Sequence, residues 1–172
     1  MDNKVLFITD TYKDLNIKKD TSILMIEEAI KNKLDVFQCE INDLFIENNY
    51  VWASARNILS AGSTQVEGIL KENIKVSDFK YSFMRKDPPV DENYINALHL
   101  LGLAEKQGAV IFNKPNSIKE FNEKIFALYF KEYIIKDEEE EINFKFLNDF
   151  LEKNIFKIEK LIGHFIKNIS LI

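Results

Sequence analysis

Short apolar runs alternate with helical periodicity through the first three-quarters of this chain. Residues 5–9 (Val-Leu-Phe-Ile-Thr) form an apolar run closed by Thr and then Asp10. A strand covered on both faces needs such a run, so it reads as a buried parallel strand. Residues 11–19 are polar and predict a loop. Asp20, Thr21 or Ser22 can each cap the helix that follows, in which Ile23, Ile26, Ala29 and Ile30 recur at helical spacing. The helix ends near Asn32 and Lys33, and residues 34–39 alternate as a second strand. The first forty residues therefore predict a β-α-β unit.

Leu44, Phe45 and Ile46, a turn at Glu47, Asn48 and Asn49, and then Tyr50 to Ala53 predict a hairpin. Residues 56–76 are weakly patterned, punctuated by Gly62 and Gly68, and predict no defined element. Residues 80–84 form the next strand. A helix over 91–106 turns Tyr94, Leu98, Leu101 and Ala104 inward, with Gln107 and Gly108 as its C-cap. Residues 109–113 read as another buried strand. Lys114, Pro115 and Asn116 turn the chain, and Ser117 caps a helix that runs to about residue 129. Beyond Phe130 the character changes. Residues 136–141 are an acidic run on a solvated face, and Phe146, Phe150, Ile155, Ile158 and Leu161 recur with helical spacing.

Composition narrows the class. With 172 residues, 46% apolar and 30% charged, the chain can bury a core and reads as soluble and globular. A net charge of −5 argues against a broad nucleic-acid footprint. Cys39 is the single cysteine, which excludes an intrachain disulfide and fits a reducing compartment. The apolar run near the N-terminus is too short for a signal segment or a membrane span, so the expected location is the cytoplasm. His99 sits among leucines and reads as structural. His164 has no companion at ligand spacing, and residues 138–141 read as a solvated face rather than a metal site. Trp52 reads as core or as a subunit contact.

One stretch carries chemistry. Met84, Arg85, Lys86, Asp87, Pro88 and Pro89 follow the apolar residues of the strand read over 80–84, at its carboxyl end. Each proline fixes its own φ and lacks a backbone donor, and Asp87 is pushed toward extended geometry by the proline after it. Arg85 and Lys86 therefore sit on a stiff loop. In an open α/β sheet the carboxyl ends of the strands are where ligands bind, so a rigidly held Arg there points to an anion. An exposed strand-end charge pair with Asp87 as its partner is the plain alternative.

At this point the residues resemble the N-terminal domain of prokaryotic glutathione synthetase, a member of the ATP-grasp ligases. The resemblance rests on residues 16–22 (Asn-Ile-Lys-Lys-Asp-Thr-Ser), 43–45 (Asp-Leu-Phe), 84–89, 113–115 (Asn-Lys-Pro) and 122–127 (Asn-Glu-Lys-Ile-Phe-Ala), in the family's order and spacing. It implies an α/β fold: a small parallel-sheet, Rossmann-like pre-ATP-grasp domain over residues 1–130. Residues 131–172 would be a truncated or degenerate start of the ATP-grasp region, forming a helical tail. The implied reaction joins γ-glutamylcysteine to glycine using ATP and Mg²⁺. On this resemblance Arg85 holds a substrate carboxylate, Lys18 and Ser22 line the same cleft, and Lys124 reaches ATP phosphates. Arg suits a carboxylate through its planar fork, and Lys suits phosphate as a point charge.

The resemblance weakens toward the end of the chain. Residues 156–169 keep one glycine, Gly163, and place Phe165 and Ile166 where a phosphate loop needs small residues. The expectation is that most of the ATP site and the metal ligands are absent, and that the chain is inactive alone. A separate ATP-grasp chain or a homo-oligomer are the implied protein partners. Two alternatives compete with this reading. One is a non-enzymatic module that binds a small carboxylate or a thiol peptide; the other is a degenerate remnant.

Overall fold

The structure, a computed structural model, describes residues 3–11, 15, 20–61 and 66–121. The chain divides into two compact units, Met1–Ser117 and Ile118–Ile172. Nearly all described residues belong to the first, and the expected helical tail and the glycine-poor stretch lie outside them.

The hydrophobic run near the start forms β1 (Lys4–Ile8). Asp20 caps α1 (Thr21–Lys31), its side chain accepting from the Ser22 backbone N–H at 2.7 Å. Of the three capping candidates Asp20 is the one used, because its carboxylate satisfies a donor that the first helical turn leaves free. Asp20→Ala should cost about 0.5–2 kcal/mol of stability, measurable by urea denaturation. The helix buries Ser22, Ile23, Met25, Ile26 and Ala29, and stops at Asn32, before Lys33 at φ 60°.

β2 (Asp35–Cys39) then returns parallel to β1. A turn of 3-10 helix at Ile41–Asp43 leads into β3 (Leu44–Glu47), which pairs with β4 (Tyr50–Ala61) across Asn48 and Asn49, both at positive φ. Trp52 is half-buried on this hairpin, donating to the Glu47 carbonyl at 3.0 Å, with the Lys75 ammonium over its ring.

The described residues of the weakly patterned region are almost all strand. β4 runs twelve residues and pairs antiparallel with β5 (Val66–Lys75). The register shifts between Arg56 and Ile58 and again between Ile58 and Ser60. Each shift breaks the period-two alternation by which a strand is read, so the pattern disappears where the strand continues.

After a second 3-10 turn (Val76–Asp78), β6 (Tyr81–Met84) runs parallel to β1 on the edge opposite β2. α2 (Glu92–Lys106) is capped by Asp91 and buries Tyr94, Ala97, Leu98, Leu101 and Ala104. It ends at Gln107, with Gly108 at φ 99°, a conformation that side chains disfavour. β7 is shorter than expected, only Ile111–Phe112. α3 (Pro115–Glu120) begins two residues ahead of the expected cap. Proline fits the first helical position, where no backbone donor is needed, so Ser117 lies inside the first turn and caps nothing.

The resulting sheet has seven strands, in the path β3-β4-β2-β1-β6-β7, with β5 pairing to β4 off that path. Four consecutive strands, β2-β1-β6-β7, are parallel, as the apolar runs required, and the hairpins add an antiparallel wing. The centre is dense with aromatics. Phe7, Phe83 and Phe112 are register partners on β1, β6 and β7, with ring centroids 5.0 and 5.7 Å apart. No described helix is long and apolar enough to cross a membrane.

Candidate functional site

From β1 the chain passes through α1 to β2 on one side of the sheet; from β6 it passes through α2 to β7 on the other. β1 and β6 are adjacent and parallel, so the direction of winding reverses between them. Their carboxyl ends, and the N-terminus of α1, therefore border the crevice that this topology opens for ligands.

The residues at that crevice form one connected set. The ladder between β1 and β6 continues one step past the strands, with the Arg85 amide donating to the Ile8 carbonyl at 2.8 Å. Arg85 is half-buried, and its Nη2 donates to Thr21 Oγ1 on the first residue of α1. Its Nε is buried and has no hydrogen-bond partner among the described residues. A guanidinium nitrogen left without an acceptor in a ligand crevice is a donor available to one.

Lys86 is placed differently. Its Nζ lies 2.7 Å from Asp10 Oδ1 and also donates to the Asp87 carbonyl at 2.6 Å. Its side chain is only 16% exposed. Asp10 thus neutralises Lys86, and among the described residues Arg85 is the cation of the pair that keeps an unpartnered donor. The plain reading, in which Asp87 pairs with the strand-end cations, gives way to Asp10 as the acid that takes the lysine.

Asp87 donates its backbone N–H to Asp10 Oδ2 at 3.0 Å. Partial burial, then the carboxylates of Asp20 and Asp10, push its carboxyl above the usual range, against the pull of Arg85 and Lys86. A carboxyl raised on folding favours its protonated form in the folded state. Its stabilising contribution is complete below the unfolded value and is lost as pH rises through the folded one. Asp87→Asn should therefore be more stable than wild type at neutral pH. The gain is at most about 0.5 kcal/mol, because the side chain is exposed and screened. It should vanish as pH falls below the ordinary value of 3.8, which thermal unfolding across that range checks.

Ser22, expected to line the cleft, follows the Arg85 partner Thr21 and is 2% exposed. Lys18 and Lys124 lie outside the described residues. Cys39 is fully buried at the end of β2; burial, then Asp43 and Glu40, push its thiol up, against the pull of Lys71, so it is a poor nucleophile. Neither Asp10 nor Thr21 is singled out as a site residue by the sequence: Asp10 reads only as the end of the first strand, and Thr21 only as a candidate cap within the 16–22 stretch expected to line the cleft. For Asp10 a signal existed, since it directly follows a buried run at a strand's carboxyl end. Among the described residues no group of three or more His, Cys, Asp and Glu side chains is placed to hold a metal ion.

The fold and this crevice define a doubly wound α/β domain with a half-buried arginine at its switch point. Comparison with known proteins makes the assignment specific. Residues 3–119 match the family model described as prokaryotic glutathione synthetase, N-terminal domain. The chain is 39% identical over 127 residues to a glutathione synthetase of Prochlorococcus marinus, covering 73% of this chain and 40% of that protein. It is 35% identical to those of Buchnera aphidicola from Acyrthosiphon pisum and of Vibrio parahaemolyticus, covering 76% and 75% of this chain and 42% of each relative. The chain belongs to the prokaryotic glutathione synthetase N-terminal domain family. It spans about 40% of the length of these relatives and corresponds to their N-terminal part.

Proposed function

We propose that this domain forms the substrate-binding wall of a glutathione synthetase, with Arg85 as the fork that holds a carboxylate of γ-glutamylcysteine. One observation carries the reading. At the switch point between β1 and β6 the guanidinium is held by Thr21, while its buried Nε has no acceptor among the described residues. Lys86 is excluded from the role by its ion pair with Asp10. A carboxylate approaching the crevice can take the free Arg85 donor in a charge-assisted hydrogen bond.

In the full reaction ATP, with Mg²⁺, would supply the phosphoryl group that activates a substrate carboxyl toward the glycine amine. The described residues supply no metal-ligand cluster, so Mg²⁺ receives no assignment here. Lys124 is the residue proposed to meet ATP phosphates. What this domain contributes is orientation: a bound carboxylate fixes the substrate, and fixed geometry lowers the entropic part of the barrier. Cytoplasmic location, self-association and a separate ATP-grasp chain as partner belong to the same proposal.

Calorimetry with this chain tests the reading. γ-Glutamylcysteine should bind, and its derivative with both carboxylates amidated should bind at least about tenfold more weakly, as expected when a charge-assisted bond is lost. Equal affinity for the two would overturn a carboxylate site.

A further inference from the structure

We propose that Asp10 is a positioning residue, whose carboxylate clamps the loop after β6 and so sets Arg85 for its anionic ligand. The inference rests on the reading of Arg85 given above. Both oxygens of Asp10 reach the same loop. Oδ1 pairs with Lys86 Nζ at 2.7 Å, and Oδ2 accepts the Asp87 backbone N–H at 3.0 Å. Lys86 also donates to the Asp87 carbonyl at 2.6 Å. One carboxylate thus ties down the two residues that follow Arg85, while the ladder bond from the Arg85 amide to Ile8 fixes the residue itself.

Asp10 is in turn held from behind. Thr9 is fully buried, its amide donating to the Cys39 carbonyl at 3.0 Å and its hydroxyl to the Asp10 carbonyl at 2.7 Å. Gln38, the register partner of Phe7 and 2% exposed, donates to Thr9 Oγ1 at 3.0 Å. Buried polar side chains are retained where every bond is satisfied, and such networks rigidify what they touch. The chain of contacts runs Gln38, Thr9, Asp10, then the loop bearing Arg85. It joins the carboxyl ends of β2, β1 and β6.

The alternative role for Asp10 makes the opposite forecast. If it were merely a negative charge near the crevice, removing it would strengthen anion binding by relieving repulsion. A clamp lost should weaken binding instead, because a loosened loop no longer holds the fork in register.

The test is calorimetry of this chain with γ-glutamylcysteine, alongside amide hydrogen exchange. Asp10→Ala should weaken binding about tenfold, the order seen when a group supporting a ligand-binding side chain is removed. It should also speed exchange of the Asp87 amide, with the Phe7 and Phe83 amides unchanged. Asp10→Asn keeps an acceptor for the Asp87 N–H but loses the ion pair, so it should fall between wild type and Asp10→Ala. It also serves if the alanine variant fails to fold. Unchanged or tighter binding in a folded Asp10 variant overturns the positioning role, as does loss of protection throughout β1 and β6. Absence of binding by the wild type would instead overturn the Arg85 reading on which the proposal rests.

Discussion

Phe7→Ala should destabilise the domain by about 3–5 kcal/mol, enough to remove much of the stability of a typical domain. Phe7 is fully buried at the centre of β1 and stacks on Phe83 at 5.0 Å and 17°. Phe83 in turn stacks on Phe112, so the ring is the anchor of a row that crosses three parallel strands. Truncation removes the transfer free energy of a large apolar side chain. It also leaves a void that paired strands on either side cannot collapse to fill, since their spacing is set by backbone hydrogen bonds. The comparison is Leu24→Ala on α1, where the side chain is 49% exposed and the change should stay within about 0.5 kcal/mol. Urea denaturation measures both. A loss below about 1.5 kcal/mol at Phe7 would mean that the aromatic row is not the core.

The second large effect concerns the ligand. Arg85→Ala should weaken γ-glutamylcysteine binding by roughly 30- to 4,000-fold, the range for removing one partner of a desolvated, hydrogen-bonded charge pair. Arg85→Lys keeps the charge but not the planar fork, and should lose about tenfold. The structure gives a reason for this difference. One face of the guanidinium is spent on Thr21, and an ammonium at the end of a flexible stem cannot serve both the threonine and the ligand in fixed geometry. Both variants should keep wild-type circular dichroism, because Arg85 is only half-buried. Wild-type affinity in Arg85→Ala would remove the residue from the site.

Much of this could be read from the residues, and the failures have physical causes. The run 5–9 had to be a covered strand, and the cap at residues 20–22 had to start a helix, because both signals are local. The helix over α2 was legible to its face: all four residues expected inward are buried, and Ala97 joins them. β4 was legible only over Tyr50 to Ala53, and its continuation and β5 were not, because two register shifts scramble the alternation that marks a strand. Ser117 was misjudged as a cap because a proline one step into a helix resembles a proline that turns the chain. At the site, Arg85 stood out through its strand-end position and the prolines behind it. The division of labour between Arg85 and Lys86 did not, because it depends on a carboxylate 77 positions away from the loop it holds. Sequence spacing carries no information about such a pair until the two strands lie side by side.

The Arg85 side chain can be observed directly. Its Nε–Hε group has a resolvable nitrogen-15 resonance, and in the structure this donor is buried without a partner among the described residues. Titrating γ-glutamylcysteine into the labelled chain should move that resonance saturably, with the same Kd that calorimetry gives, as the proton gains a carboxylate acceptor. Binding that leaves the Arg85 Nε–Hε resonance where it was would contradict the account.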